Sequence, residues 1–317
     1  MYPILRVAVI GGSGFVGSYV AEKLSEASFE TTIATRNPEH TRREPLLVLP
    51  KVLLATADVH DDASLESLVG THNAVISMAG ILHGSRSAFE TVHVRLVERI
   101  IAACKKTGVR RLVHISALGA APDAPSDYQQ TKGIAEQRIA ESGLDWTILR
   151  PSVVFGAGDN FLNMFARLLK AAPFMPLAGA DTRMQPVWAN DVAQAVANVL
   201  PDPATFGMKL DLAGPRVYTL RELVEYVGRL TGHERSIIAV PPSVAMLQAG
   251  LMEVMPGPTL MSRDNVRSLS VDNVSEAPFP TEVLGFSPTP LEAVAPHYLA
   301  DDEYNHRLNL YRSTVRR

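Results

Sequence analysis

The chain has 317 residues, enough to bury a sizeable core as one large α/β domain with a smaller lobe. Its 30 Lys and Arg nearly cancel 33 Asp and Glu, leaving a net charge of −3, so no global field recruits nucleic acid or an anionic membrane. Cys104 is the one cysteine, which excludes an internal disulfide and fits a reducing compartment, and no run of about 18 uncharged apolar residues is present to form a transmembrane helix.

Ile4 to Ile10 is a near-continuous apolar run, the signature of a strand covered on both faces. It runs straight into glycines with no small-residue cleavage site, so it reads as a strand and not a signal peptide. Gly11-Gly12-Ser13-Gly14-Phe15-Val16-Gly17 then opens a helix expected to reach about Ala27. In this strand, loop and helix pattern Gly11 permits the tight turn, Gly14 lets backbone approach a diphosphate, and Gly17 lets helix and strand pack closely. The amides of Ser13, Phe15 and Val16 belong to the helix opening, whose partial positive charge faces phosphates.

Phe29 to Thr35 reads as a second strand, ending at Arg36. An acid at this tip would accept from a ribose 2′-hydroxyl, whereas an arginine accommodates a 2′-phosphate, so Arg36 argues for NADP(H) in preference to NAD(H). His40, Arg42 and Arg43 add positive charge nearby, with a solvated basic loop as their plainer reading. Val52 to Ala57 is a third strand, followed by Asp58-Val59; Asp58 suits either an adenine amino group or the cap of a helix over 61–69. Ala74 to Met78 is a fourth strand whose small Ala79-Gly80 exit leaves room for a cofactor. A long helix is expected from about Ala88 to Lys106, closed by Gly108, and Cys104 on it reads as a packed small hydrophobe. Arg111 to Ser116 is strand five.

Strands alternating with helices predict a doubly wound parallel sheet, a Rossmann-type α/β fold, whose ligands lie beyond the carboxyl ends of the strands. The glycine loop, Arg36, Asp58, Ala79-Gly80 and Ser116 all fall at those ends. After Ser116 a loop leads to Ser126-Asp127-Tyr128-Gln129-Gln130-Thr131-Lys132, in which Tyr128 and Lys132 share one helical face. A lysine ammonium and an oxidised nicotinamide would favour phenolate and bring a phenol of ordinary pKa about 10 towards working pH. This supports reversible hydride transfer with Tyr128 exchanging the proton, Lys132 tuning it and anchoring a ribose, and Ser116 orienting a small-molecule substrate.

Leu144 to Leu149 is a sixth strand, and Pro151 marks the exit from the sheet. Regular alternation fails beyond it. Phe161 to Ala171 is an amphipathic helix, Asp191 is expected to cap a helix running to about Leu200, Met208 to Ala213 is a strand and Tyr218 to Thr231 a helix. The expected organisation is a cofactor-binding domain of 1–150 plus about 185–214, a smaller C-terminal substrate or partner lobe of about 151–184 plus 215–299, and a tail of 300–317. Met246, Met252, Met255 and Met261, among Leu247, Leu251, Val254 and Leu260, read as core or lid packing in preference to an apolar surface for a quinone-like or lipid ligand or a partner helix. The tail begins acidic and ends in Arg312, Arg316 and Arg317, and is expected to be mobile or to dock on a neighbour. The nine histidines lack ligand spacing, so no metal is expected.

Taken together, the glycine loop, Asp58-Val59, Tyr128 with Lys132, Arg150-Pro151-Ser152-Val153-Val154-Phe155-Gly156 and Pro186-Val187-Trp188-Ala189-Asn190-Asp191-Val192-Ala193 resemble the extended and atypical short-chain dehydrogenase/reductase superfamily. More narrowly, His114 to Ala120, Gly158 to Asn163, Asp264-Asn265-Val266, Asp272-Asn273-Val274 and the ending Leu284-Gly285-Phe286 to Leu299 look like the dehydrogenase-like accessory subunit of respiratory complex I and its bacterial relatives. The resemblance implies NADPH contacts at Gly11, Gly14, Gly17, Arg36, Asp58 and Lys132, and a structural subunit without established turnover. Ala117-Leu118 stands where many active extended members carry a second Ser or Thr. The expectation is therefore an NADP(H)-dependent oxidoreductase of a small or apolar carbonyl or hydroxyl compound, against an NADPH-holding accessory or assembly protein with a protein partner on its second lobe. The expected location is the cytoplasm, with the periphery of a respiratory membrane complex left open.

Overall fold

The computed structural model describes residues 6–36, 46, 48–254 and 260–300. His40, Arg42, Arg43, Met255 and the tail beyond residue 300 lie outside them. In chain order the first elements are β1 (Arg6–Ile10), α1 (Phe15–Glu26), β2 (Glu30–Thr35), β3 (Val52–Thr56), α2 (Asp62–Val69), β4 (Ala74–Ser77), α3 (Arg86–Phe89), a π-helical turn (Glu90–Arg95), α4 (Leu96–Thr107), β5 (Arg111–Ile115), α5 (Asp127–Ala140) and β6 (Asp145–Pro151). There follow β7 (Val154–Phe155), α6 (Leu162–Ala171), β8 (Phe174–Ala178), β9 (Arg183–Met184), β10 (Val187–Trp188), α7 (Ala189–Val199), β11 (Met208–Leu212), β12 (Tyr218–Thr219), α8 (Leu220–Thr231), β13 (Ser236–Val240), α9 (Pro242–Val254) and α10 (Arg263–Ser268). Three one-turn helices, α11 (Thr281–Leu284), α12 (Leu291–Val294) and α13 (Pro296–Leu299), close the described chain.

The chain divides into two units, one containing the residues up to Pro151 together with Ala189–Leu212 and Ala277–Ser287, the other the remainder. The first unit is a seven-stranded sheet in the order β11-β6-β5-β4-β1-β2-β3, with every neighbouring pair parallel. This is the doubly wound α/β arrangement. The chain steps outward from β1 to β3, returns to the other side of β1 at β4 and steps outward again, so the loops after β1 and β4 meet at the reversal.

Side chains alternate across the strands, and Ala8, Ile10, Val75, Leu112 and Ile148 join residues of α2, α4 and α5 in one buried cluster. α1 and α7 lie against one another. The carboxyl end of α7 is pinned by Arg111, which is buried at the start of β5 and donates to Leu200 O (3.0 Å) and Asp145 O (2.8 Å). A cation at a helix carboxyl end meets its unpaired carbonyls favourably. Cys104 is fully buried and burial pushes its thiol up to about 12, which suits a packed hydrophobe and no nucleophile.

Three local expectations change. The helix expected over 88–106 is interrupted by the π-helical turn, which carries His93 into a buried position. Asp61 and not Asp58 caps α2, accepting from Ser64 N at 2.7 Å. α7 starts at Ala189, so Asp191 is buried within its first turn instead of capping it.

The second unit has its own core, built from Phe155, Phe165, Leu169 and Leu177 with Leu223, Val224 and Val227 of α8. Small strand pairs bind its segments together, β7 with β10, β9 with β12 and β8 with β13. α8 carries a capping box, with Thr219 Oγ1 accepting from Glu222 N and the Glu222 carboxylate accepting from Thr219 N, and it stops at Gly232 in the left-handed region (φ +68°).

Candidate active site

Backbone crowding decides the loop after β1. Gly11 has φ +88°, and a Cβ there would sit 2.5 Å from Ala79 N, so the loops after β1 and β4 touch at the reversal only because both exits are small. A Cβ on Gly17 would lie 2.2 Å from Gly12 O, which makes Gly17 the close approach of α1 to its own loop. Gly14 is the N-cap of α1, without any side-chain cap, and a Cβ there would meet nothing nearer than Gly11 O at 3.6 Å. The helix opening is therefore left to backbone N–H groups with room in front of them, which fits an anion such as a diphosphate. Ser13, Phe15 and Val16 are half-buried around it, and Phe15 meets Tyr19 edge to face at 5.7 Å.

Arg36 follows the last residue of β2, is exposed and makes no ion pair with any described residue. Asp58 lies beyond β3, and one carboxylate oxygen accepts from His60 N at 2.9 Å. Val59 packs on the core cluster. Pro151 ends β6, and its carbonyl accepts from Leu118 N at 2.9 Å, tying the loop after β5 to the β6 exit. These residues all stand at carboxyl ends of parallel strands.

The chemistry-bearing side chains come from α5. Ser126 caps it, and Arg86 at the start of α3 holds Asp127 (2.8 Å) and Glu90 (3.0 Å), so the starts of α3 and α5 are clasped. A Cβ on Gly133 would lie 2.5 Å from the Ala121 carbonyl carbon, which seats α5 against the loop after β5. Lys132 is buried and donates from Nζ to Ile115 O at 2.9 Å. Burial pushes its pKa down to about 8, with the Glu136 carboxylate pulling the other way. The Nζ is also 3.6 Å from where a Gly80 Cβ would stand, so the β4 exit lies directly on it.

In the protein without cofactor, burial pushes the Tyr128 phenol up to about 12. Ser116 is buried and its Oγ has no hydrogen-bond partner among the described residues, while Arg150 above all holds the Glu136 carboxyl below its ordinary range against burial. Glu136, with a side chain 1 % exposed, is gripped bidentately by Arg150 and bonded by Lys209 Nζ at 3.0 Å.

Sequence reasoning missed three members of this buried polar layer. Glu136 carried a signal, since it repeats the four-residue step from Tyr128 to Lys132 once more along α5. His93 and His114 had none. His114 bonds Ser77 Oγ through Nδ1 at 3.2 Å and leaves Nε2 buried without a partner, while burial and the charge of Lys132 hold its pKa well down. The π-helical turn that delivers His93 is set by tertiary contacts, which periodicity cannot display.

A family profile described as NAD(P)H-binding matches residues 11–203, which span the glycine loop, the Tyr128 and Lys132 helix and α7. The rat protein named NADH dehydrogenase (ubiquinone) 1 alpha subcomplex subunit 9, mitochondrial, is 31 % identical over 290 residues, covering 90 % of this chain and 77 % of that one. The chain belongs to this NAD(P)H-binding family. A further relative, the NAD(P)H azoreductase of Xenophilus azovorans, is 25 % identical over 236 residues, covering 74 % of this chain and 77 % of its own. Among solved structures, the NADPH-dependent quinone oxidoreductase of Escherichia coli complexed with NADPH aligns with TM-score 0.73 at 20 % identity, covering 91 % of this chain and 98 % of that one. That likeness concerns the fold. Among the described residues no helix is long and apolar enough to cross a membrane.

Proposed function

We propose that this family member is an NADP(H)-dependent reductase of a small or apolar carbonyl or quinone-like compound, with Tyr128 as its proton donor. The observation that carries it is the placing of Tyr128 and Lys132 on one face of α5, with the Lys132 ammonium against the β4 exit and the uncapped start of α1 across the loop after β1. When bound, the reduced nicotinamide supplies a hydride. The α1 amides hold the diphosphate, the exposed Arg36 guanidinium pairs with a 2′-phosphate, and Lys132 donates to a ribose hydroxyl. Tyr128 keeps its proton at Oη, because burial holds the phenol near 12, and gives it to the substrate oxygen as negative charge develops there.

A second reading, a cofactor-holding accessory subunit at the periphery of a respiratory complex, is favoured by the rat relative, which is named as a subunit of a mitochondrial NADH dehydrogenase. Ala117 and Leu118 after Ser116 favour it too. The two readings separate on Tyr128→Phe assayed with NADPH and a quinone or azo dye. Reduction is expected to fall by roughly 10²–10⁴-fold, with the Kd for NADPH changed only a few-fold. Turnover that survives the change removes Tyr128 from its role. Wild-type protein that binds NADPH yet reduces neither probe favours the accessory reading. Arg36→Glu is expected to cut the preference for NADPH over NADH by roughly tenfold or more, about 1.4 kcal/mol, in a titration of both nucleotides.

A further inference from the structure

We infer that His93 is a positioning residue that joins the β4 exit to the Tyr128 face of α5 through two differently directed hydrogen bonds. The inference rests on the NADP(H) reading above and deepens it. His93 lies on the π-helical turn and is 1 % exposed. Its Nε2 accepts from Ile81 N at 3.2 Å, and its Nδ1 lies 2.9 Å from Thr131 Oγ1. Thr131 Oγ1 already gives its hydrogen to backbone, with Asp127 O at 2.8 Å, so it receives from Nδ1–H. The backbone N–H of Ile81 can only donate. Both partners therefore demand the same neutral imidazole, protonated on Nδ1.

The two bonds reach different walls of the site. Ile81 directly follows Ala79-Gly80, and a Gly80 Cβ would stand 3.7 Å from His93 Nε2 and 3.6 Å from Lys132 Nζ. Thr131 precedes Lys132 on α5, and the His93 ring meets Tyr128 edge to face at 5.4 Å. Neutrality is enforced locally, since burial and the Lys132 charge bring the His93 pKa down to about 3. A widened helical turn whose one inward side chain bridges these two segments is more than a packing feature, because an apolar side chain of equal volume would take the acceptor away from the half-buried Ile81 N–H.

Two isosteric amides separate the bonds, because the Asn amide mimics Nδ1 and the Gln amide mimics Nε2. In the full chain titrated with NADPH, His93→Gln keeps the Ile81 bond and is expected to hold the Kd within about threefold while losing the change in nicotinamide fluorescence that accompanies binding. His93→Asn keeps the Thr131 bond and is expected to weaken the Kd by roughly tenfold while the bound nucleotide retains that fluorescence change. His93→Leu should lose both. Equal effects in all three variants, or a lowered melting temperature with unchanged Kd and fluorescence, overturn the inference.

If the variants fail to fold, ¹⁵N spectra of wild-type histidines decide. One imidazole must show the neutral Nδ1-protonated pattern and move when NADPH is added, and a Nε2-protonated or unmoved imidazole overturns the inference. Wild-type protein that takes up no NADPH instead overturns the cofactor reading itself, which is visible before any variant is made.

Discussion

α5 and α9 are inverted helices of opposite kinds. α5 turns Gln129, Thr131, Lys132 and Glu136 inward, burying two charges and two polar groups where a core helix ordinarily buries leucines. α9 buries only Ala245 and Ala249 and turns its large residues outward, with Leu247 68 % and Val254 80 % exposed. Polar burial on α5 is matched residue by residue, Lys132 by the Ile115 carbonyl and Glu136 by Arg150 and Lys209, so the helix has one seating and its Tyr128 face is held in place. α9 is joined to its unit by small side chains, in a cluster with Ala178 and Val266, and near its end by the exposed Glu253 carboxylate, which accepts from Arg263 N and Nε at 2.8 Å. Directional bonds fix position, and short apolar contacts hold a helix without fixing much of its surface.

The largest test of that contrast lies at Glu136. Glu136→Gln removes one charge and leaves Arg150 and Lys209 facing a neutral amide, so unfolding in denaturant is expected to report a loss of about 3 kcal/mol. An effect below about 1 kcal/mol would mean that the cluster is solvated and that α5 is seated by something else. Of the same size is the pH dependence of the cofactor-free protein. Lys132 is depressed to about 8 from 10.5, so between those values the unfolded chain keeps a proton that the folded chain has released, and stability rises with pH through that window by about 3 kcal/mol. Below pH 8 both forms carry the proton and the cost of burying it is constant. Lys132→Met should flatten the rise in denaturation curves taken at successive pH values. At the acid end His93, held near 3, makes the unfolded chain the better proton acceptor below its ordinary 6.5, so stability falls as pH drops through that range.

The sheet was legible because its strands are short apolar runs punctuated by Gly11, Arg36, Asp58, Gly80 and Ser116, and a parallel topology forces all of those punctuation points to one end. What could not be read was electrostatic or three-dimensional. The Tyr128 and Lys132 spacing showed that they share a face, but how far burial raises the phenol depends on how α5 is covered in three dimensions. Ser116 read as a substrate contact by its place at a strand end, and that its buried Oγ makes no hydrogen bond among the described residues is a three-dimensional fact no spacing displays. His93 sat among the β-branched residues Thr91, Val92 and Val94 in what periodicity presents as plain helix, and only Ile81 and Thr131, distant in sequence, reveal the π-helical turn around it. The methionine and leucine run of 244–261 read as core or lid packing, yet among its described residues Leu247, Leu251, Val254 and Leu260 are exposed, because α9 packs through Ala245 and Ala249 and composition alone does not say which face is buried.

The smallest effects separate the two faces of α9. Ala249 is fully buried in a cluster of small residues, so Ala249→Leu must force its extra carbons into space already filled and should cost about 1–3 kcal/mol. Leu251, 59 % exposed and only two residues away, has little contact to lose, and Leu251→Gln should change stability by less than about 0.5 kcal/mol despite removing the larger apolar side chain. Ordinary amphipathic helices give the reverse ranking, with the leucine costly and the alanine tolerant. Melting curves of the two variants side by side therefore decide whether α9 is held by its alanines: a Leu251→Gln loss that exceeds that of Ala249→Leu would show the large residues to be its anchor and would remove the contrast with α5.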